Sequence, residues 1–423
     1  MKSMIIIGNS GNRRTTGLQA ARARLGLPPA LVLNYMDVLQ GKASLSSCVQ
    51  SLGQSLGKLD KLDKLDDPPL LRLDAPGEHF EVERELIALG APDAANSHLD
   101  ERWLRYNKSV VQPISARTAK GLKEIKGKLY HPSQWFRGYC KLLSRLDREA
   151  TQLWNSPRWM NAPEDIAVMF DKRVTHEILS SVGLPVPRRL AAPEAIPNYD
   201  TLRDAMVTAR TYRLFIKLAT GSGACGVIAY QVNPVTGAES AVTTIGVENY
   251  QRRPPLFYNV KKLFHYKEHQ VIRQIINWLL GHGAHVEQWI PKASYRDRTF
   301  DIRQLVVAGK ACHSIARVSR TPITNLHLDS DRMSLGEVGM TDNLQATVQQ
   351  CAEQTMSVFP RSTVAGIDVC LSSGSNRPYI LDVNPFGDLL YHSHYEGHDP
   401  YEWEMRMVSL ATTNEMEEDY HDV

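Results

Sequence analysis

Between Ala365 and Pro385 the chain carries two short apolar runs, residues 365–371 and 379–383, separated by Ser372-Ser373-Gly374-Ser375-Asn376-Arg377-Pro378. Apolar runs of strand length bounded by Ser, Gly, Asn and Pro read as an antiparallel hairpin. Oxygen-bearing side chains break its apolar pattern: Asp368 on the first strand, Asp382 and Asn384 on the second. Side chains two apart on a strand share a face, so Asp382 and Asn384 point the same way. Two carboxylates and an amide oxygen on adjacent strands form an all-oxygen set. Mg²⁺ prefers such hard donors, with nucleotide phosphates left to fill its remaining positions. Burying the cluster without a cation would cost heavily, so the fold must deliver this hairpin to a polar cleft.

A second constraint lies upstream. Phe215-Ile216-Lys217-Leu218 reads as a strand ending in Lys, residues 219–226 as a loop of small residues, and residues 227–232 as a departing strand. Glycines at 221, 223 and 226 let backbone N–H groups approach phosphate oxygens closely. In a P-loop the Lys follows the glycines and a helix comes next. Here the Lys precedes them and a strand follows, which reads as a hairpin lid over a nucleotide; taken alone, the same loop reads equally as a simple turn. Lys172, within Asp171-Lys172-Arg173, falls on a helix read over residues 165–182 and stopped by Gly183, Pro185 and Pro187. By itself it is a solvated lysine. Glu287, Gln288 and Ile290, around Trp289, offer a carboxylate and backbone groups to an adenine edge. Arg303, in Asp301-Ile302-Arg303, lies on a strand heading toward the phosphates, where a fork-shaped cation is suited. Arg317 and Asn325-Leu326-His327 follow.

The N-terminal third differs. Met4-Ile5-Ile6-Ile7, a turn over residues 8–14, a helix over 16–25 and Ala30-Leu31-Val32-Leu33 follow one another as strand, helix and strand, the opening of a parallel α/β layer. The turn lacks the full dinucleotide fingerprint; it is a tight glycine turn or a substrate loop using Arg13 or Arg14. A Lys-Leu-Asp repeat over residues 57–67 drifts around a helix without an apolar stripe and reads as an exposed insertion. Residues 102–158 interleave Lys and Arg with Trp and Tyr, a solvated helix face or a surface for an acidic partner. Beyond residue 165 strands outnumber helices, which predicts an antiparallel-rich α+β unit.

Lys plus Arg number 49 against 46 for Asp plus Glu, too even a balance to argue for nucleic acid or membrane. No apolar run reaches the roughly 18 residues of a membrane span, and the apolar start is too short for a secretory signal. The six cysteines are scattered with no C-x-x-C pair, which fits a reducing cytoplasm.

Taken in order, Asp171-Lys172, Lys217 with its glycine loop, Glu287-Gln288-Trp289-Ile290, Asp301-Ile302-Arg303, Asn325-Leu326-His327, Asp368 and Asp382-Val383-Asn384-Pro385 resemble the ATP-grasp superfamily over roughly residues 160–400. Within it the pattern is most similar to the ribosomal-protein glutamate ligases. The resemblance implies an N-terminal α/β domain (1–115), a basic and aromatic helical linker (116–164), a first grasp lobe with a glycine-rich hairpin and a helical insertion (165–284), and a second lobe with the metal strands (285–423). It implies an ATP-dependent carboxylate–amine ligase working through an acyl phosphate and releasing ADP and phosphate. Its substrates would be small-molecule or peptide carboxylates and amines, with neither a membrane nor nucleic acid as partner; a homo-oligomer is compatible with the sequence. By the same resemblance Lys172 and Lys217 hold phosphates, and Ser222, Gly223, Ala224 and Gly226 cover them. Glu287, Gln288 and Ile290 receive adenine. Asp368, Asp382 and Asn384 carry Mg²⁺, with Mn²⁺ as a substitute, and Arg303, Arg317 and Asn325 act on the transferred group. Two departures stand out: Asp382 replaces the usual Glu, and Phe386-Gly387-Asp388 replaces the usual small residues. A nucleotide-binding regulatory protein and a small-molecule kinase are the alternatives.

Overall fold

The computed structural model describes residues 3–55, 68–94, 99, 102–106, 112–221, 223, 225–328, 330–387 and 390–418. The Lys-Leu-Asp repeat, Ser222, Ala224 and Asp388 lie outside them.

The first apolar run becomes the centre of a parallel sheet. β1 (Met4–Gly8) lies between β2 (Leu31–Asn34) and β3 (Leu70–Leu73), with β4 (Arg158–Trp159) beside β3, and every pairing is parallel. All five residues of β1 are buried, as expected for a parallel strand covered on both faces. Ile5 and Ile7 pack toward Phe136, Tyr139 and Leu143. Met4 and Ile6 pack on the other face with Leu18 and Met405. The layer is therefore closed partly by the C-terminal helix Pro400–Glu418.

The basic, aromatic stretch forms the helix Pro132–Leu153, whose Phe136, Tyr139, Cys140, Leu143 and Leu146 are fully or almost fully buried at helical spacing. Lys141 does not lie on a solvated face: it is buried, and its Nζ donates to the Leu89 carbonyl at 2.9 Å, at the C-terminal end of the helix Phe80–Leu89, where a cation is favoured. The two helices cross at glycines. A Cβ on Gly138 would lie 1.8 Å from the Leu86 carbonyl oxygen, and one on Gly90 1.9 Å from that of Gln134.

β5 (Arg213–Leu218), β6 (Val227–Val232), β7 (Glu239–Glu248), β8 (Leu256–Tyr266) and β9 (Ala284–Gln288) form an antiparallel sheet in the order β8-β7-β6-β5-β9. The sequence reading does not anticipate β7 and β8. In β8 only Phe257 is buried, so its apolar signal is weak. β10 (Ser294–Tyr295), β11 (Arg298–Val307), β12 (Lys310–Ser319), β13 (Asp331–Met333), β14 (Val364–Leu371) and β15 (Pro378–Asn384) form a second antiparallel sheet in the order β13-β12-β11-β14-β15, with β10 on β11. Among the described residues no helix is long and apolar enough to cross a membrane.

The single helix expected over 165–182 is two helices, Pro163–Phe170 and Lys172–Ser181. They break at Asp171, whose extended backbone and side-chain acceptance from Arg173 N at 3.0 Å make it the cap of the second. The break places Lys172 in a first turn, with its backbone N–H on the Ala219 carbonyl at 2.9 Å.

Because a methyl group at the helix crossing has no space, Gly138→Ala should force the helices apart. Overpacking at backbone contact is expected to cost about 3 kcal/mol or more, read as a lowered urea midpoint; an unchanged midpoint would show that the crossing yields freely.

Candidate functional site

The two antiparallel sheets face each other with charged surfaces. In the second, register pairs Asp301 with Arg317, Arg303 with Asp368, Asp368 with Asp382 and Gly366 with Asn384. Strand alternation puts these side chains on one face. The other face, with Ile302, Ile367, Val369 and Val383, packs with Val348 and Met356 of the helix Asp342–Met356. In the first sheet, Phe215, Lys217, His285 and Glu287 share a face, while Leu214, Ile216 and Leu218 pack with the helices Tyr199–Thr208 and His269–Gly281. Between the charged faces lies a cleft.

Its ions are paired with one another. Arg303 grips Asp368 through Nε and, at 3.0 Å, through Nη2. Arg317 bridges Asp368 at 3.1 Å and Asp301 at 2.7 Å. Lys292 reaches Asp301 at 3.0 Å, and Thr324 donates to the same carboxylate. Burial works against the Asp301 anion, yet Arg317 and Lys292 outweigh it and hold its pKa well below the ordinary carboxylate value. Lys172 joins Asp382 at 3.0 Å and the Gly221 carbonyl at 2.9 Å, tying helix, loop and hairpin together.

Lys217 is held from both sheets. Its Nζ meets Glu287 at 2.6 Å and the Leu381 carbonyl at 3.0 Å. Leu381 is available because the β14–β15 register slips just after Asp368: Asp368 faces Asp382, but Val369 faces Ile380. The residue between is a bulge, and a bulged residue leaves the ladder. Glu287 also takes His285 Nε2 at 3.0 Å. Burial pushes the Glu287 carboxyl up, but Lys217 and His285 overcome this and its pKa falls to about 2. Burial likewise opposes the Lys217 ammonium, while Glu287, Asp382 and Asp368 raise its pKa above the ordinary lysine value.

The glycine loop joins β5 to β6 as a hairpin. Gly226, at φ +69°, leaves space for Leu218, whose Cβ a methyl group would approach to 2.8 Å; its carbonyl accepts the Leu218 N–H at 2.7 Å. Beside this polar end the cleft has apolar walls, among them Phe215, Val227, Ile290, Ile323 and Leu381.

Of the residues expected from sequence, Lys172, Lys217, Gly223, Glu287, Gln288, Ile290, Arg317, Asn325, Asp368 and Asp382 line this one cleft. Gly226, Arg303 and Asn384 stand behind its lining: Arg303 on Asp368, and Asn384 with its amide N–H on the Gly366 carbonyl at 3.0 Å. The Glu287 carboxylate is engaged by Lys217 and His285. Sequence reasoning did not place Lys292, Thr324 or His285 at a nucleotide site. Lys292 was findable only as the cation following Trp289-Ile290-Pro291. His285 carries no signal until its partner Glu287 is placed two residues along the same strand face.

Glu287→Gln should destabilise the protein by about 3 kcal/mol at neutral pH, because it leaves a buried ammonium underpaired. The Glu287 pKa is depressed from 4.5 to about 2. Its stabilisation is therefore complete above pH 4.5 and fades as pH falls toward 2. Urea unfolding of both proteins across this range should give a gap that is constant near neutrality and narrows in acid. A gap independent of pH would show that the carboxylate charge does not hold Lys217.

No protein-family model matches the chain, and no curated protein matches it significantly. Solved structures do. D-cycloserine synthetase DcsG aligns over 97% of this chain and 99% of its own, at 11% identity and a TM-score of 0.50. ATP-grasp ligase PsnB, complexed with a phosphomimetic variant of its minimal precursor, Mg and ADP, aligns over 96% and 98% at 11% identity and a TM-score of 0.49. Macrocyclase MdnC from Microcystis aeruginosa MRC, bound with precursor peptide MdnA, aligns over 96% and 99% at 10% identity and 0.48. The likeness to the D-cycloserine synthetase is one of fold.

Proposed function

We propose that this chain is an ATP-dependent carboxylate–amine ligase that forms an acyl phosphate and releases ADP and phosphate. The observation that carries the reading is the opposition of Lys172 and Lys217 to the register-paired carboxylates Asp368 and Asp382 in one cleft with an apolar end. Phosphoryl transfer asks mostly for positioning and charge neutralisation, which this set supplies. In this reading Lys172 and Lys217 take the phosphate chain, and the apolar walls with the Gln288–Ile290 backbone take adenine. Arg317 steadies the transferred group beside Asn325, while Arg303 orients Asp368. The donor chemistry fits Mg²⁺: Asp368 and Asp382 oppose each other on one face, with Asn384 two residues on. Among the described residues no three His, Cys, Asp or Glu side chains gather into a metal site, so phosphate oxygens must complete the shell. Bound there, Mg²⁺ supplies charge neutralisation for the phosphates. The acceptor is read as an amino acid or peptide.

The mechanism is tested by product analysis with ATP, Mg²⁺ and a panel of amino acids and peptides. ADP and phosphate should appear only with both a carboxylate and an amine, and hydroxylamine in place of the amine should yield a hydroxamate. AMP and pyrophosphate would refute the mechanism, and a phosphorylated hydroxyl would assign a kinase instead.

Lys217→Ala should weaken ATP binding by about tenfold or more, the worth of a lost charge-assisted contact. Calorimetry giving an unchanged affinity would remove Lys217 from the phosphate site.

A further inference from the structure

A second cavity opens beside the outer edge of β9, along which residues 188–190 run. The loop 183–189, the helix Lys172–Ser181 and the turn 372–378 between β14 and β15 enclose it. The Arg189 backbone bridges to Glu287, and the Gln288 N–H donates to the Arg188 carbonyl at 2.8 Å. The Ile380 N–H donates to Pro185 at 2.8 Å. The cavity thus touches the same helix, strand edge and hairpin that position Lys172, Glu287 and Asp382.

Its chemistry is the reverse of the main cleft, where cations and carboxylates pair. Arg188 donates to the Thr211 hydroxyl at 2.7 Å. Arg189 stands beside the Tyr106 hydroxyl, and Arg377 lies over the Tyr379 ring, 5.4 Å from its centroid. Among the described residues none of the three has a carboxylate partner. Glu177, the one acid in the lining, is taken up by Tyr106 at 2.8 Å and Arg105 at 3.3 Å. The His176 ring is turned to the loop, its Nε2 meeting the Pro187 carbonyl at 2.7 Å, and burial lowers its pKa.

Three guanidinium groups without counter-ions around a concave space suit several carboxylates held in one segment, since each fork can pair bidentately. Half-buried Leu184, Pro185 and Val186 give the same cavity an apolar strip for side chains. Among the described residues no Phe, Tyr or Trp lines it to stack a base, which single-stranded nucleic acid would want. We infer that this cavity docks an acidic peptide segment. As the place where a peptide substrate is held, this assignment rests on the ligase reading.

The probe is fluorescein-labelled hexaglutamate, titrated by anisotropy with the full chain while ATP binding is followed by calorimetry. Saturable binding is expected, weakening as salt rises and falling at least tenfold in the Arg188→Ala/Arg189→Ala/Arg377→Ala variant, with ATP affinity unchanged. The Arg188→Ala/Arg377→Ala pair replaces exposed side chains only and should lose at least threefold, which keeps the test decisive if the triple variant folds poorly. Absence of saturable binding, equal binding by the variants, or preferential binding of a dT oligonucleotide of equal charge would overturn the inference. ADP release without peptide docking would sink this inference alone. Peptide docking with no ADP release for any acceptor would leave it standing and sink the ligase reading.

Discussion

The register between β14 and β15 is the constraint on which the candidate site depends. Asp368 faces Asp382 across one antiparallel pair, and the ladder slips by one residue immediately beyond. A slip one step earlier would send one carboxylate into the apolar layer under the helix Asp342–Met356, since each step reverses the face. The bulge also turns the Leu381 carbonyl toward Lys217. One irregularity therefore sets both the carboxylate pair and the placement of a lysine from the opposite sheet. The apolar residues alternating with the charges, Ile367, Val369 and Val383, hold that register because they have a core to enter.

Burial of so many charges is tolerated because each is given an opposite. Five cations, Lys172, Lys217, Lys292, Arg303 and Arg317, interleave with Glu287, Asp301, Asp368 and Asp382. Removing one partner from such a web is costly, whereas exchanging one partner for another is not. In the proposed reading, a ligand bearing its own phosphates and cation would enter by exchange, with lysines passing from carboxylate to phosphate and carboxylates from lysine to metal. The web keeps the cleft polar and ordered until then.

The N-terminal layer is fastened to this arrangement. Asn161, just after β4, donates to the Val364 carbonyl at 2.7 Å and to the Pro385 carbonyl, and accepts from the Thr363 and Val364 N–H groups at 3.0 Å. Phe386 meets Phe170 edge-on, with ring centroids 6.3 Å apart. Buried Arg72 links Asp74 at the end of β3 to Glu404 of the C-terminal helix, at 2.8 and 2.6 Å. Pro385 and Phe386, which follow the carboxylate hairpin, are thus held by Asn161 and Phe170.

Much of this was legible in the residues. Strand periodicity located β5, β6, β11, β12, β14 and β15 closely, because apolar alternation survives wherever one face is buried. The same rule explains the loss of β8, where only Phe257 is buried; β7 buries residues 241 and 243–246, but Thr243, Thr244 and Gly246 among them break the apolar alternation. The carboxylate pair and Lys217 were legible as chemistry, since oxygen side chains interrupting an apolar hairpin and a lysine ending a strand before glycines are local patterns; Lys172, by itself a solvated helix lysine, stood out only through the order of the motifs. The sequence alone placed Lys217, Glu287, Asp368 and Asp382 on their strands. Only the tertiary structure decided their partners: that Glu287 holds Lys217, that Arg303 stands behind Asp368, that Asp171 breaks one helix into two, and that Lys141 is buried. Apart from the Asp171 break, which its own cap on Arg173 makes locally, those outcomes rest on contacts between segments far apart in the chain, where distance and burial, which no local pattern encodes, select one partner among many.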